Sequence, residues 1–133
     1  MAGALKAVRY VLDTTFIIDH LRGVPEAVDR FRRLYEDGDE PIVTEIVTTE
    51  AWSGAQPNGN EALERLLRYL EYVHPGPATA RLAGTWRADA RRRGRTLSLP
   101  DALIAATAHE LAAAVLTRNV RDYALTPVRL EPY

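Results

Sequence analysis

Short apolar runs alternate along this chain with longer stretches whose apolar residues recur at helical spacing. Ala7-Val8-Arg9-Tyr10-Val11-Leu12 is apolar and β-branched, which predicts a buried strand ending at Asp13. Thr14-Thr15 is expected to cap a helix through Phe16 to Arg22, stopped by Gly23. Pro25 suits the first turn of a second helix carrying Val28, Phe31, Leu34 and Tyr35. Asp37-Gly38-Asp39 reads as a turn and Pro41-Ile42-Val43 as a second strand. Thr44 is placed to cap a helix from Glu45 to Ser53, ended by Gly54. Gln56 to Asn60 is the most loop-like stretch, followed by a helix from Glu61 to about Tyr69. Tyr72-Val73-His74 predicts a brief strand, and Ala78 to Arg93 a helix stopped by Gly94. Ser98 and Pro100 open an alanine-rich helix to about Ala112. Ala114-Val115-Leu116 and Val128-Arg129-Leu130 are the last expected strands.

Strands alternating with helices predict an α/β fold with a parallel or mostly parallel sheet and helices on both faces. The chain shows no internal repeat or linker, and its 133 residues suit one domain, residues 1–133. With 47% hydrophobic and 26% charged residues it is ordinary for a globular protein. No run approaches the roughly 20 apolar residues that cross a membrane, and the opening residues are too mixed for a signal peptide. There is no cysteine, which excludes disulfides and thiolate chemistry and fits a cytoplasmic location. A net charge of −1 counts against a large non-specific DNA interface, but not against acids held in one cleft with bases at its rim.

In an open α/β sheet, ligands bind beyond the carboxyl ends of the strands. Asp13 follows the first strand, and Asn119 and Asp122 follow Ala114-Val115-Leu116. Asp101 lies in the first turn of its helix, and Glu50 lies within the helix after the second strand. Such side chains can converge on one edge. Crowded carboxylates raise one another's pKa, and a divalent cation with oxygen ligands removes that repulsion. Each acid also has a structural explanation. Asp13 can be a helix cap, Asp101 can complement a helix dipole with Ser98, Glu50 can be a solvated residue with Glu45 as competitor, and Asp122 can cap a turn. Their joint placement is what points to a site.

Four segments resemble the PIN-domain family, and its VapC-type toxins in particular. They are Val11-Leu12-Asp13-Thr14-Thr15, Thr49-Glu50-Ala51-Trp52-Ser53-Gly54, Leu99-Pro100-Asp101-Ala102-Leu103-Ile104-Ala105-Ala106-Thr107-Ala108, and Leu116-Thr117-Arg118-Asn119-Val120-Arg121-Asp122-Tyr123. They recur in the family's order over nearly the whole chain. The resemblance implies a PIN-like three-layer α/β/α sandwich with a central, mostly parallel sheet. It implies endonucleolytic cleavage of RNA with Mg²⁺ or Mn²⁺, neutralisation by a cognate antitoxin, and a homodimer. Asp13, Glu50 and Asp101 match the family's recurrent acids and would serve as metal ligands. Asn119 stands where the family has an acid or asparagine, with Asp122 matching a further acid. Thr14 matches the small polar residue that supports the first acid, and Thr117 is expected to do the same for the last strand. Asparagine at 119 removes one charge and leaves the number of ions held open.

Arg87, Arg91, Arg92, Arg93 and Arg95 form a basic cluster just before Asp101. They can guide an RNA backbone or simply form a solvated helix end. Trp52, Trp86, Tyr69 and Tyr72 suit base stacking but also core packing, and His20, His74 and His109 lack metal-ligand spacing. There is no glycine-rich phosphate loop and no G-x-S-x-G elbow. The alternative reading is a PIN-like module that holds RNA or a protein partner without cutting. A phosphatase is disfavoured, because Asp13-Thr14-Thr15 lacks a second Asp two residues on.

Overall fold

The computed structural model describes residues 7–54 and 60–133; the expected loop from Gln56 lies outside them up to residue 59. Within these residues five strands form one sheet: β1 Arg9–Leu12, β2 Glu40–Thr44, β3 Glu71–Val73, β4 Ala114–Leu116 and β5 Leu130–Glu131. Their order is β3-β2-β1-β4-β5, and every pair is parallel, where a mostly parallel sheet was expected. The inner strands read as continuous apolar runs because both faces are covered: Tyr10, Val11, Leu12, Ile42, Val43, Val115 and Leu116 are buried.

Among the described residues six helices connect them: α1 Thr14–Leu21, α2 Pro25–Glu36, α3 Glu45–Ser53, α4 Asn60–Arg68, α5 Pro77–Arg92 and α6 Leu99–Glu110. The connections β1-to-β2 and β2-to-β3 step one way across the sheet, and β3-to-β4 crosses back. Right-handed crossovers therefore place helices on both faces. The alanines of α6 (Ala102, Ala105, Ala106 and Ala108) are buried, and their small side chains let this helix lie close to α5, β1 and β4. Gly23 (φ +75°) and Gly94 (φ +70°) supply the left-handed residues that end α1 and α5.

Several local expectations change. The first strand begins at Arg9, so Ala7 and Val8 precede it. The cap of α1 is Asp13, not the Thr14-Thr15 pair: Asp13 has extended backbone, and its carboxylate accepts the Phe16 N–H. Thr14 and Thr15 are inside the helix. Thr44 occupies the N-cap position of α3 but makes no side-chain cap bond. A single 3-10 turn, Val120–Tyr123, follows β4 and was not anticipated.

The strand order has one functional consequence. From β1 the chain moves toward β3, and from β4 it moves toward β5. The neighbours β1 and β4, paired from Tyr10↔Ala114 to Leu12↔Leu116, thus form the topological switch point. The loops leaving their carboxyl ends diverge and open a crevice.

Candidate active site

Asp13 leaves β1 directly into that crevice. It is 3% exposed, and its Oδ1 accepts the Phe16 N–H at 2.8 Å. The buried Thr117 hydroxyl, at the end of β4, also bonds its carboxylate and in turn accepts the Asn119 N–H at 2.9 Å. Asp101 is brought to the same place by the first turn of α6. There the Ser98 hydroxyl caps the helix by accepting the Asp101 N–H at 3.2 Å. Glu50 reaches in from α3, and its Oε1 accepts a bond from the Thr14 hydroxyl at 2.6 Å.

The opposite wall is the segment after β4. Asn119 donates from Nδ2 to the Thr15 hydroxyl at 3.0 Å, and Asp122 and Tyr123 come from the 3-10 turn. Together Asp13, Thr14, Thr15, Glu50, Asp101, Ile104, Asn119, Asp122 and Tyr123 line one cavity of about 200 Å³. Glu45 is elsewhere: its carboxylate meets His74, and it lines a different pocket with Ile46 and Pro75. Thr15 and Tyr123 were not expected to line the site. Thr15 follows Thr14 in the first turn after Asp13, and Tyr123 is adjacent to Asp122, so nearness in sequence to the acids was the available signal.

Electrostatics follow from burial and crowding. Burial is the main reason the Asp13 carboxyl is pushed up to about 6; the charges of Asp101 and Asp122 add to it, while the Thr117 and Phe16 bonds oppose it. Asp101 is also raised, first by burial and then by Asp122 and Glu50, against hydrogen bonds with Ser98 and Tyr123. Tyr123 is buried, and burial together with all four surrounding carboxylates raises its pKa. Its hydroxyl is therefore a neutral donor among acids. The chemistry available is that of an oxygen-rich, negatively charged pocket.

The PIN domain family pattern matches residues 10–125. Ribonuclease VapC19 of Mycobacterium tuberculosis is 33% identical over 92% of this chain and 98% of its own length. The chain belongs to the VapC-type PIN-domain family. Among solved structures, VapBC2 of Rickettsia felis, bound to a promoter DNA fragment, gives a TM-score of 0.82 at 20% identity, covering 95% of this chain and 99% of that one. A toxin–antitoxin complex from Klebsiella pneumoniae gives 0.76 at 26% identity, covering 93% and 98%.

Within this PIN domain the donor set is four carboxylates and one amide, all hard oxygen donors facing the cavity, and no imidazole lines it. Such a set suits Mg²⁺ or Mn²⁺ rather than a soft metal. Among the described residues no three acidic or imidazole groups sit close enough to hold an ion by themselves. Mg²⁺ typically takes one or two carboxylates and completes its shell with water and substrate oxygen. The three histidines of the PIN domain are occupied elsewhere: His20 packs on Phe31, His109 on Trp86, and His74 meets Glu45.

The basic cluster lies outside the cavity lining. Arg87 is turned inward, donating from Nε to the Leu97 carbonyl at 3.0 Å, and so holds the loop before α6. Arg92 pairs with Asp89 on its own helix. Arg91, Arg93 and Arg95 are exposed. Trp52, Tyr69 and Tyr72 are exposed too, whereas Trp86 packs against the core.

Proposed function

We propose that this PIN domain is a divalent-metal-dependent endoribonuclease and the toxin of a type II toxin–antitoxin pair. The observation that carries the reading is the convergence of Asp13, Glu50, Asp101 and Asp122 on one cavity at the switch point, with Asn119 completing the ring. Relatedness to a protein named as a ribonuclease supports the activity, and likeness to VapBC complexes supports an antitoxin partner.

Asp13 and Asp101 would hold the ion directly, and Glu50 through water or as the group that orients the nucleophile. Bound there, Mg²⁺ or Mn²⁺ would lower the pKa of a water nucleophile and neutralise charge developing on a phosphodiester. The chain's own residues prepare the rest. The Phe16 N–H and the Thr117 hydroxyl fix Asp13 in one orientation. The Thr14 hydroxyl occupies Oε1 of Glu50 and leaves Oε2 for the cavity. Tyr123 supplies an uncharged donor to Asp101. The arginines at the end of α5 would draw in the RNA backbone.

The test is cleavage of a labelled RNA. EDTA should abolish it, and Mg²⁺ or Mn²⁺ should restore it. Asp13→Asn keeps a side chain able to cap α1 and should lose activity by at least about 100-fold while remaining folded. Full activity in EDTA, or in Asp13→Asn, would refute the assignment. RNA binding that persists in EDTA without any cleavage would favour the non-cutting module instead.

A further inference from the structure

Asp19 is an acid that the cavity does not use. It lies on α1 one helical turn beyond Thr15, and its side chain is 4% exposed. Its Oδ2 accepts the Tyr133 hydroxyl at 2.6 Å and lies 3.3 Å from Nε of Arg118. Arg118 immediately precedes Asn119, whose amide bonds Thr15. Two adjacent residues after β4 are therefore fastened to two positions four apart on the same face of α1. One of these rungs forms the wall of the acidic cavity. The other stands about 5–6 Å away along the helix.

Charge makes the second rung informative. A buried carboxylate costs free energy unless it is paired, so Asp19 holds Arg118 firmly. The Arg118 side chain is nevertheless 54% exposed, and among the described residues Asp19 is its one acidic partner. Contact through Nε leaves the end-on edge of the guanidinium free for a second oxyanion, the geometry in which arginine binds phosphate through two parallel hydrogen bonds. The arginines at the end of α5 have no comparable buried anchor.

We infer that Arg118, oriented by Asp19 and Tyr133, is a binding residue for an RNA backbone phosphate next to the one that enters the cavity. The inference rests on the ribonuclease reading, because it assumes that RNA lies across this crevice. Asp19 and Tyr133 act through Arg118 as positioning residues. Held in this way, the guanidinium meets a phosphate without first losing rotamer freedom.

The test is binding of a fluorescein-labelled single-stranded RNA to the full chain carrying Asp13→Asn, measured by anisotropy across a range of KCl concentrations. Adding Arg118→Gln should weaken binding about 10-fold at low salt. It should also make the slope of log affinity against log salt shallower by about 0.7, the loss of one phosphate contact on a single strand. Arg118→Lys should restore the slope but only part of the affinity. Arg118→Gln leaves Asp19 unpaired, so the double variant Arg118→Gln/Asp19→Asn is measured as well; it removes both charges and should show the same shallower slope in a protein that melts cooperatively. A slope unchanged in both variants would overturn the phosphate assignment while leaving RNA as the substrate. No RNA binding by the Asp13→Asn parent would overturn both.

Discussion

Asp13 combines two roles that usually fall to separate residues. As the cap of α1 it satisfies a helix N–H; as a buried acid beside other acids it carries an unfavourable charge. Its carboxyl is pushed from an ordinary value near 4 to about 6. The folded state thus binds this proton more tightly than the unfolded chain does. For the metal-free protein, the stability linked to this group is fully present below about pH 4 and is lost as pH rises through about 6. The difference corresponds to an upper bound of about 3 kcal/mol. Asp13→Asn should therefore be more stable than the parent in urea at pH 7.5 without metal, and the gap should close at pH 4. A variant less stable at both pH values would mean that the cap bond outweighs the buried charge. The sequence placed Asp13 after a strand and allowed it as a cap, but Thr14 and Thr15 are capping types too. Only the extended backbone at Asp13 decides between them. Tyr123 was hidden for another reason: an aromatic after Asp122 reads as core, and it is core, yet its hydroxyl reaches the acids.

Elements position these residues, and the elements were largely legible. Apolar β-branched runs marked the inner strands because both of their faces are buried, and Ser98 with Pro100 marked the start of α6. What the pattern could not show was contact between distant segments. Asn119 and Thr15 are 104 residues apart, and Asp19 and Tyr133 are 114 apart. The irregular segment after β4 gave no periodic signal, so its 3-10 turn passed unseen. The start of α6 offers a test at this scale. Ser98→Ala removes the cap that sets the first turn and should cost about 1 kcal/mol of stability, read from the urea midpoint. Because Asp101 is in that turn, cleavage should fall by more than the loss of folded protein accounts for. A fall that merely tracks the folded fraction would separate the cap from the site.

Across the whole molecule, the acids gathered at the switch point concentrate repulsion in one crevice at the carboxyl ends of the strands. A cation that binds only the folded chain would relieve it. Mg²⁺ at 100 times its dissociation constant should add about 2.7 kcal/mol, a rise of several degrees in Tm for a domain of this size. Asp13→Asn should lose most of that rise. The same rise in the variant as in the parent would show that the ion binds elsewhere. The described residues contain no helix long and apolar enough to cross a membrane.

The pairing of β1 with β4 carries one more implication. Asp13 and Thr117 each extend a strand whose preceding residues are locked in register to the other, Leu12 opposite Leu116. Separating these two side chains means parting the middle of the sheet. This floor of the pocket therefore has no private route to disorder: the backbone amides of Asp13 and Thr117, bonded to the Leu116 and Glu131 carbonyls, should exchange with solvent at the pace of the core strands, and these two side chains should part only at the denaturant concentration that unfolds the sheet.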